Sequence, residues 1–247
     1  MIRNVKPGHY WHREIKLGVQ QFLKRNAFFT ERTIKLVINV DGLPISNLSQ
    51  SQLWPILGSV LGYNDVFING IYHGDTKPAD SMEYLQYFVV EAKLLVANCI
   101  TSETMHYSCI NSAISANSPA KAFLFNIKGH SGYESCTKCT TYDEYKENRI
   151  CFPLKSGIKR LDSDYETKLD KDFHMKNCAL EDIPKLGLVP NVPMNYLHLI
   201  CIGICKKLLN LWCNDKVSVT LPDFLTAKKK LKKAENQTDL DSTDIDE

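Results

Sequence analysis

The 247-residue sequence has no run approaching 18 apolar residues, so no segment reads as a membrane span. Met1 to Tyr10 lacks an apolar stretch, so no secretory signal is visible. Neither a G-x-x-x-x-G-K-[ST] loop nor a G-x-G-x-x-G turn is present, which argues against a nucleotide cofactor held by those motifs. No nucleophile signature surrounds any cysteine, which argues against a Cys/His hydrolase. There is no internal repeat and no low-complexity tract. Net charge is also scarce: 30 basic against 28 acidic residues leave +2, so no global basic field announces nucleic acid.

What is present is ordinary globular composition, 44% hydrophobic and 23% charged, which excludes a wholly disordered, collagenous or coiled-coil chain. The length suits one domain or two, enough to bury roughly 70% of the unfolded surface. Nine cysteines without a secretory signal read as reduced thiols, small buried hydrophobes or metal ligands. Charge is uneven: Lys228 to Lys233 reads KKKLKK, and Asp239 to Glu247 is strongly acidic. Residues 226–247 are therefore expected to be a disordered, solvated tail. The alternative is that the basic run touches DNA phosphates or directs nuclear import. The expected compartment is nuclear or cytoplasmic.

Hydrophobic periodicity predicts strands at Thr33 to Asn39, Leu53 to Leu61 and Val66 to Tyr72, close enough for an antiparallel meander. Pro55 argues against a central position for the second. A helix is predicted over Ala79 to Asn98, with Asp80 or Ser81 as its cap. A fourth strand follows at His106 to Ile114, then a short helix over Pro119 to Ile127. Helices are also read at His12 to Leu23 and Tyr196 to Trp212. Three strands, helix, strand, helix is a mixed α/β order. It suits a ribonuclease-H-like mixed sheet with flanking helices and an inserted Cys-containing region. The expected division is a first part of the core (1–128), an insertion (129–193), a helical region (194–225) and the tail. In such a fold the first and fourth strands lie side by side. Acidic groups at their ends can then hold two divalent cations about 4 Å apart for phosphoryl transfer. Asp41 occupies the first such position, and Asn117 stands in the second.

Cys136-Thr137-Lys138-Cys139 is a C-x2-C pair, half of a tetrahedral zinc site. His174 and Cys178, four apart, or His130, are the candidates to complete it. The alternative is a pair of loop cysteines without metal. A redox role is disfavoured because the pair does not open a helix after a strand. His198, Cys201 and Cys205 share one face of an α-helix by spacing, either as ligands or as small packed side chains. Tyr10, Trp11, His12 and Arg13 form an aromatic and basic cluster that could meet DNA or simply begin a helix.

Several segments carry a family resemblance: Asp41-Gly42-Leu43-Pro44, Leu53 to Gly58 (LWPILG), Ser118 to Leu124 (SPAKAFL), Lys128 to Tyr133 leading to Cys136 and Cys139, and Asn195-Tyr196-Leu197-His198-Leu199. In this order they resemble DDE/D transposases of cut-and-paste elements, in the broad group that includes the CACTA (EnSpm) type. The resemblance runs from about Tyr10 to Trp212. It implies a metal-dependent DNA strand cleavage and transfer ancestry, Mg²⁺ or Mn²⁺ as the ancestral cofactor, transposon-end DNA as the partner, and the possibility of a homo-oligomer. It also implies metal binding by the C-x-x-C, with further ligands from a downstream histidine pair that this chain lacks. Asn195 and His198 would support the site.

The departures point to a degenerate enzyme. The family carries Asp where Asn117 stands, and Asp or Cys where Asn195 stands. Its third acid, a Glu, lies further downstream; Glu235 and Glu247 sit in polar sequence and are poor candidates. The resemblance therefore implies a gene product cut short and catalytically inactive. The alternative function is a retained DNA- or protein-binding scaffold.

Overall fold

In the computed structural model the described residues are 2–213, without 47–48, 103–104, 147–148, 154–156 and 169. Two compact units are present, Met1–Asn195 and Tyr196–Glu247. The predicted tail, its basic run and Glu235 and Glu247 lie outside the described residues.

The first unit is mixed α/β. Its strands are β1 (Ile2–Val5), β2 (Gly8–His12), β3 (Thr33–Val40), β4 (Leu43–Pro44), β5 (Gln52–Val60), β6 (Val66–Gly74), β7 (Ile100–Ser102) and β8 (Met105–Ser115). They form one curled sheet in the order β1-β2-β6-β5-β3-β8-β7, with β4 paired to β5. All neighbours are antiparallel except β3 and β8, which run parallel from Thr33 opposite Ser108 to Asn39 opposite Ser115. A small hairpin of β9 (Glu144–Lys146) and β10 (Arg149–Cys151) stands apart.

Period-two alternation sets the faces of the central strands. In β3, Ile34, Leu36, Ile38 and Val40 are buried, and Trp54, Ile56 and Val60 answer from β5. Burying each such side chain stabilises by about 1.5–3 kcal/mol. Helices α1 (Ile15–Arg25) and α2 (Ser81–Ala97) add Ile15, Val19, Phe22, Tyr84, Leu85, Phe88 and Ala92 to the same core. Asp80 caps α2 by accepting from the Met82 N–H at 2.9 Å. Helix α3 (Ser118–Phe125) ends in left-handed Asn126. Between α3 and the end of the unit, a short helix α4 (Asp162–Thr167) supplies Tyr165 to the core, the turn after it supplies Phe173, and a 3₁₀ turn (Ala179–Asp182) with its C-cap supplies Leu180 and Ile183. The predicted insertion is thus packed into the first unit.

Three expectations are corrected. Pro55 lies in an interior strand. It falls between the Ile56–Val40 and Leu53–Leu43 pairs, where the ladder on that side is interrupted around Asp41 and Gly42. A missing N–H is tolerated at such a gap. Tyr10 to Arg13 does not begin a helix: residues 8–12 form β2, which alternation splits into fully buried Tyr10 and exposed Trp11. In the second unit, Leu197–Cys205 is a π-helix continued by α5 (Lys206–Cys213). Its wider turn, about 4.4 residues, rotates His198 away from Cys201 and Cys205, so the three lose their common face. Cys201 and Cys205 are exposed, not packed thiols.

Candidate functional site

The parallel pairing of β3 with β8 brings Asp41, just past β3, to Asn117, just past β8. The Asn117 amide donates from Nδ2 to Asp41 Oδ1, which also accepts from the Gly42 N–H at 2.8 Å. Asn117 is also the N-cap of α3: its Oδ1 accepts from the Ala120 N–H at 2.8 Å. That backbone donor fixes which end of the amide is oxygen and turns the –NH₂ toward the carboxylate. The single side-chain oxygen of Asn117 is therefore spent on the helix, and its nitrogen stabilises Asp41 by a charge-assisted bond.

This edge is walled by aromatic packing. Gly42 lies against the Trp54 ring so closely that a Cβ there would stand 2.8 Å from Cε2 and Cζ2. Trp54 Nε1 donates to Gln52 Oε1 at 2.8 Å, and its ring meets Phe123 edge-on at 5.4 Å. The Lys77 ammonium sits 5.1 Å from the Phe123 ring centre. Three of the quoted segments, 41–44, 53–58 and 118–124, thus meet at one place in the fold.

One turn along α3, Lys121 is buried and donates to the Pro193 carbonyl at 3.3 Å. Lys138 donates to the carbonyls of Val189 and, at 2.7 Å, Val192. Burial lowers the pKa of both lysines, and the Lys138 cation lowers that of Lys121 further. These two cations and Asn191, which bonds the Ser112 carbonyl at 2.7 Å, fasten residues 189–193 beside β8. Sequence reading missed this clamp. Its signal was a lysine inside the otherwise apolar Ala120-Lys121-Ala122-Phe123-Leu124-Phe125 run.

Cys136 and Cys139 lie on a turn with their sulfurs 3.4 Å apart. The Lys138 N–H points at Cys136 Sγ at 3.4 Å, and Cys139 Sγ lies 2.8 Å from Thr141 Oγ1. Burial pushes the Cys139 thiol up, but bonds from Thr141 and Cys136 outweigh it and hold it below the ordinary thiol range. The turn is anchored by buried Arg160. That guanidinium bonds the Cys136 carbonyl at 3.0 Å, pairs with Asp170 at 2.9 Å and lies 3.7 Å over the Phe173 ring.

The residues expected to complete a zinc site are engaged elsewhere. His174 is buried, with its ring edge-on to Tyr165 at 4.7 Å and Phe173 at 4.9 Å. The Cys178 thiol is buried, directed at the Leu124 carbonyl at 3.7 Å, and pushed up to about 12 by burial. His130 is exposed on the turn before Cys136, and its carbonyl accepts from Ser135 Oγ at 3.2 Å. Among the described residues no group of three or more His, Cys, Asp or Glu side chains is arranged to hold a metal ion. Two thiols without a third ligand do not fit tetrahedral zinc. Asn195 closes the first unit, half-buried, and His198 belongs to the second.

The pair of Mg²⁺ or Mn²⁺ ions that the resemblance implies fits no better. Two-metal chemistry asks for hard anionic oxygens from both positions. Asn117 presents an N–H donor to Asp41 in place of a second carboxylate. No protein-family model matches the chain, and no curated protein matches it. Among the described residues, no helix is long and apolar enough to cross a membrane.

Proposed function

We propose that the chain is a transposase-derived protein of ribonuclease-H-like ancestry whose metal-dependent strand-cleavage centre has been silenced by an internal hydrogen bond. The single observation that carries this is the Asn117–Asp41 bond at the ends of the parallel strand pair. A catalytic carboxylate pair repels itself until cations neutralise it. Here the amide of Asn117 supplies the neutralising donor permanently. The sheet order β6-β5-β3-β8 supports the reading, because it brings two of the segments that carry the resemblance, those beginning at Asp41 and Ser118, to one edge. In this reading the remaining role is that of a DNA-contacting or protein-contacting scaffold in the nucleus or cytoplasm, alone or as a homo-oligomer.

The test has a negative and a positive arm. Wild type, Asn117→Asp and Asp41→Ala are incubated with duplex DNA carrying candidate transposon ends and Mg²⁺ or Mn²⁺. The expected result is no nicking by any. Nicking by wild type that is lost in Asp41→Ala overturns the inactive reading. In the positive arm, Mn²⁺ binding is titrated by calorimetry. Asn117→Asp is expected to gain a site that Asn117→Asp with Asp41→Ala lacks. Absence of that gain removes the ancestral metal centre from this edge.

A further inference from the structure

The two half-buried thiols of the Cys136–Cys139 turn have no third ligand among the described residues, yet their sulfurs stand 3.4 Å apart. A disulfide needs about 2.05 Å, so small rotations of the two side chains suffice to close it. We propose that Cys136 and Cys139 form a hydroperoxide-sensitive dithiol, a modification site that closes to a disulfide within the turn.

The arrangement separates the two sulfurs by role. Thr141 Oγ1 accepts from the Gly157 N–H at 2.8 Å and lies 2.8 Å from Cys139 Sγ, where its hydroxyl can donate to the sulfur once the thiol proton has left. Cys139 is the sulfur held by a donor side chain, and it is the attacking one. Its sulfur displaces on the hydroperoxide O–O bond: S–O forms, O–O breaks, and the alcohol or water leaves with the thiol proton. Cys136 Sγ then attacks the sulfenic sulfur. S–S forms, S–O breaks, and water leaves carrying the Cys136 proton. The dithiol loses two electrons and the hydroperoxide gains them, giving one disulfide, one alcohol and one water.

Closure has a structural consequence. It draws Cys139 Sγ toward Cys136 and away from Thr141, the residue that holds Gly157. Cys139 also pairs with Lys159 in an antiparallel bridge, and the next residue is Arg160, which grips the Cys136 carbonyl. The bond therefore ties the oxidation state of the turn to the strand-like segment 157–160. Buried Cys109 and Cys178 are shielded from a dissolved oxidant, whereas Cys99 is exposed and serves as the internal reference.

Trypsin cuts after Lys138, between the two cysteines, so the disulfide joins two peptides, Gly129–Lys138 and Cys139–Lys146. The full chain is purified under reductant and exposed to one equivalent of hydrogen peroxide or tert-butyl hydroperoxide. It is then alkylated with iodoacetamide, digested and weighed. The linked pair is expected to appear at least tenfold faster than oxidation of Cys99, and to vanish on adding a dithiol reductant. Cys136→Ser is expected to leave Cys139 as a sulfenic acid that dimedone traps. Recovery of both peptides alkylated and unlinked while Cys99 is oxidised overturns the proposal. So does protection of both thiols that a zinc chelator removes, which would assign the pair to metal. The readout is independent of DNA cleavage and of the Asp41–Asn117 edge.

Discussion

The side-chain amide of Asn117 bonds two partners at once: its oxygen caps α3 through the Ala120 N–H, and its nitrogen holds Asp41. Asp caps a helix about as well as Asn, so Asn117→Asp keeps the cap and changes only the charge facing Asp41. Two adjacent carboxylates disfavour joint ionisation, and one pKa rises. The native state then binds a proton more readily than the unfolded chain. The cost, about 1–3 kcal/mol at pH 7, should fade as pH drops toward the raised pKa. Thermal melts of Asn117→Asp are expected to lie below wild type at pH 7 and to approach it only as pH falls below about 4, the ordinary Asp value. Millimolar Mn²⁺ should restore part of the loss at pH 7 in the variant and not in wild type. Equal melting of the two proteins at pH 7 contradicts the neutralising role of Asn117.

Gly42 is required by its neighbour. A methyl group at this position would press on the Trp54 ring, which is also held edge-on against Phe123. Gly42→Ala should cost about 1–3 kcal/mol, the usual range for overpacking. Gly129→Ala, where a Cβ meets nothing within 4 Å, is the control and should be near neutral. Urea melts of the two variants compare them directly.

The central strands and α2 were legible because their alternation and three-four periodicity match their burial. The predicted Thr33 to Asn39 strand and Ala79 to Asn98 helix differ from β3 and α2 by at most two residues at an end. The meeting of Asp41 and Asn117 was legible because strand order puts both at one edge. Other features had no local signal. Asn69 is the extra residue where Ile56 pairs with Gly70 and Leu57 with Ile68, and no sequence pattern marks that bulge. β2 was read as the start of a helix because Tyr10-Trp11-His12-Arg13 shows its alternation over only a few residues. Arg160 has no local signal, because its partners, Asp170 and two carbonyls, are brought together only by the folded turn.

Arg160 is the buried cation that joins the cysteine turn to the Phe173 segment. Its side chain is 1% exposed. Arg160→Met keeps much of the volume against Phe173 but strands the carbonyls of Glu134 and Cys136 and the Asp170 carboxylate. Breaking a buried pair from one side costs about 3–5 kcal/mol. Partial exposure of Asp170, at 25%, places the expected loss at the lower end. Chemical denaturation should show it, and hydrogen exchange should quicken first at Lys138 to Thr140. A loss under about 0.5 kcal/mol, the scale of ordinary surface substitutions, would show that the pair is not an anchor.

His174 makes the first unit sensitive to mild acid. Its Nε2 is buried with no hydrogen-bond partner among the described residues, and its ring lies between Tyr165 and Phe173. Burial lowers its pKa most, the Arg160 cation adds to this and outweighs Asp170, and Lys168 in turn outweighs Asp164. In the unfolded chain the imidazole titrates near the ordinary 6.5. The folded state therefore holds His174 neutral where the unfolded state has already taken up a proton. Stability is intact above pH 6.5 and declines as pH falls through 6.5 toward the lowered native value. Wild type should lose melting temperature between pH 7.5 and 5.0. His174→Phe, which keeps an aromatic ring between Tyr165 and Phe173 and removes the titration, should lose clearly less over the same interval. His174→Lys should be destabilised at both pH values, because it buries a charge beside Arg160. Parallel pH profiles for wild type and His174→Phe would show that protonation of His174 does not govern the acid limit of the fold.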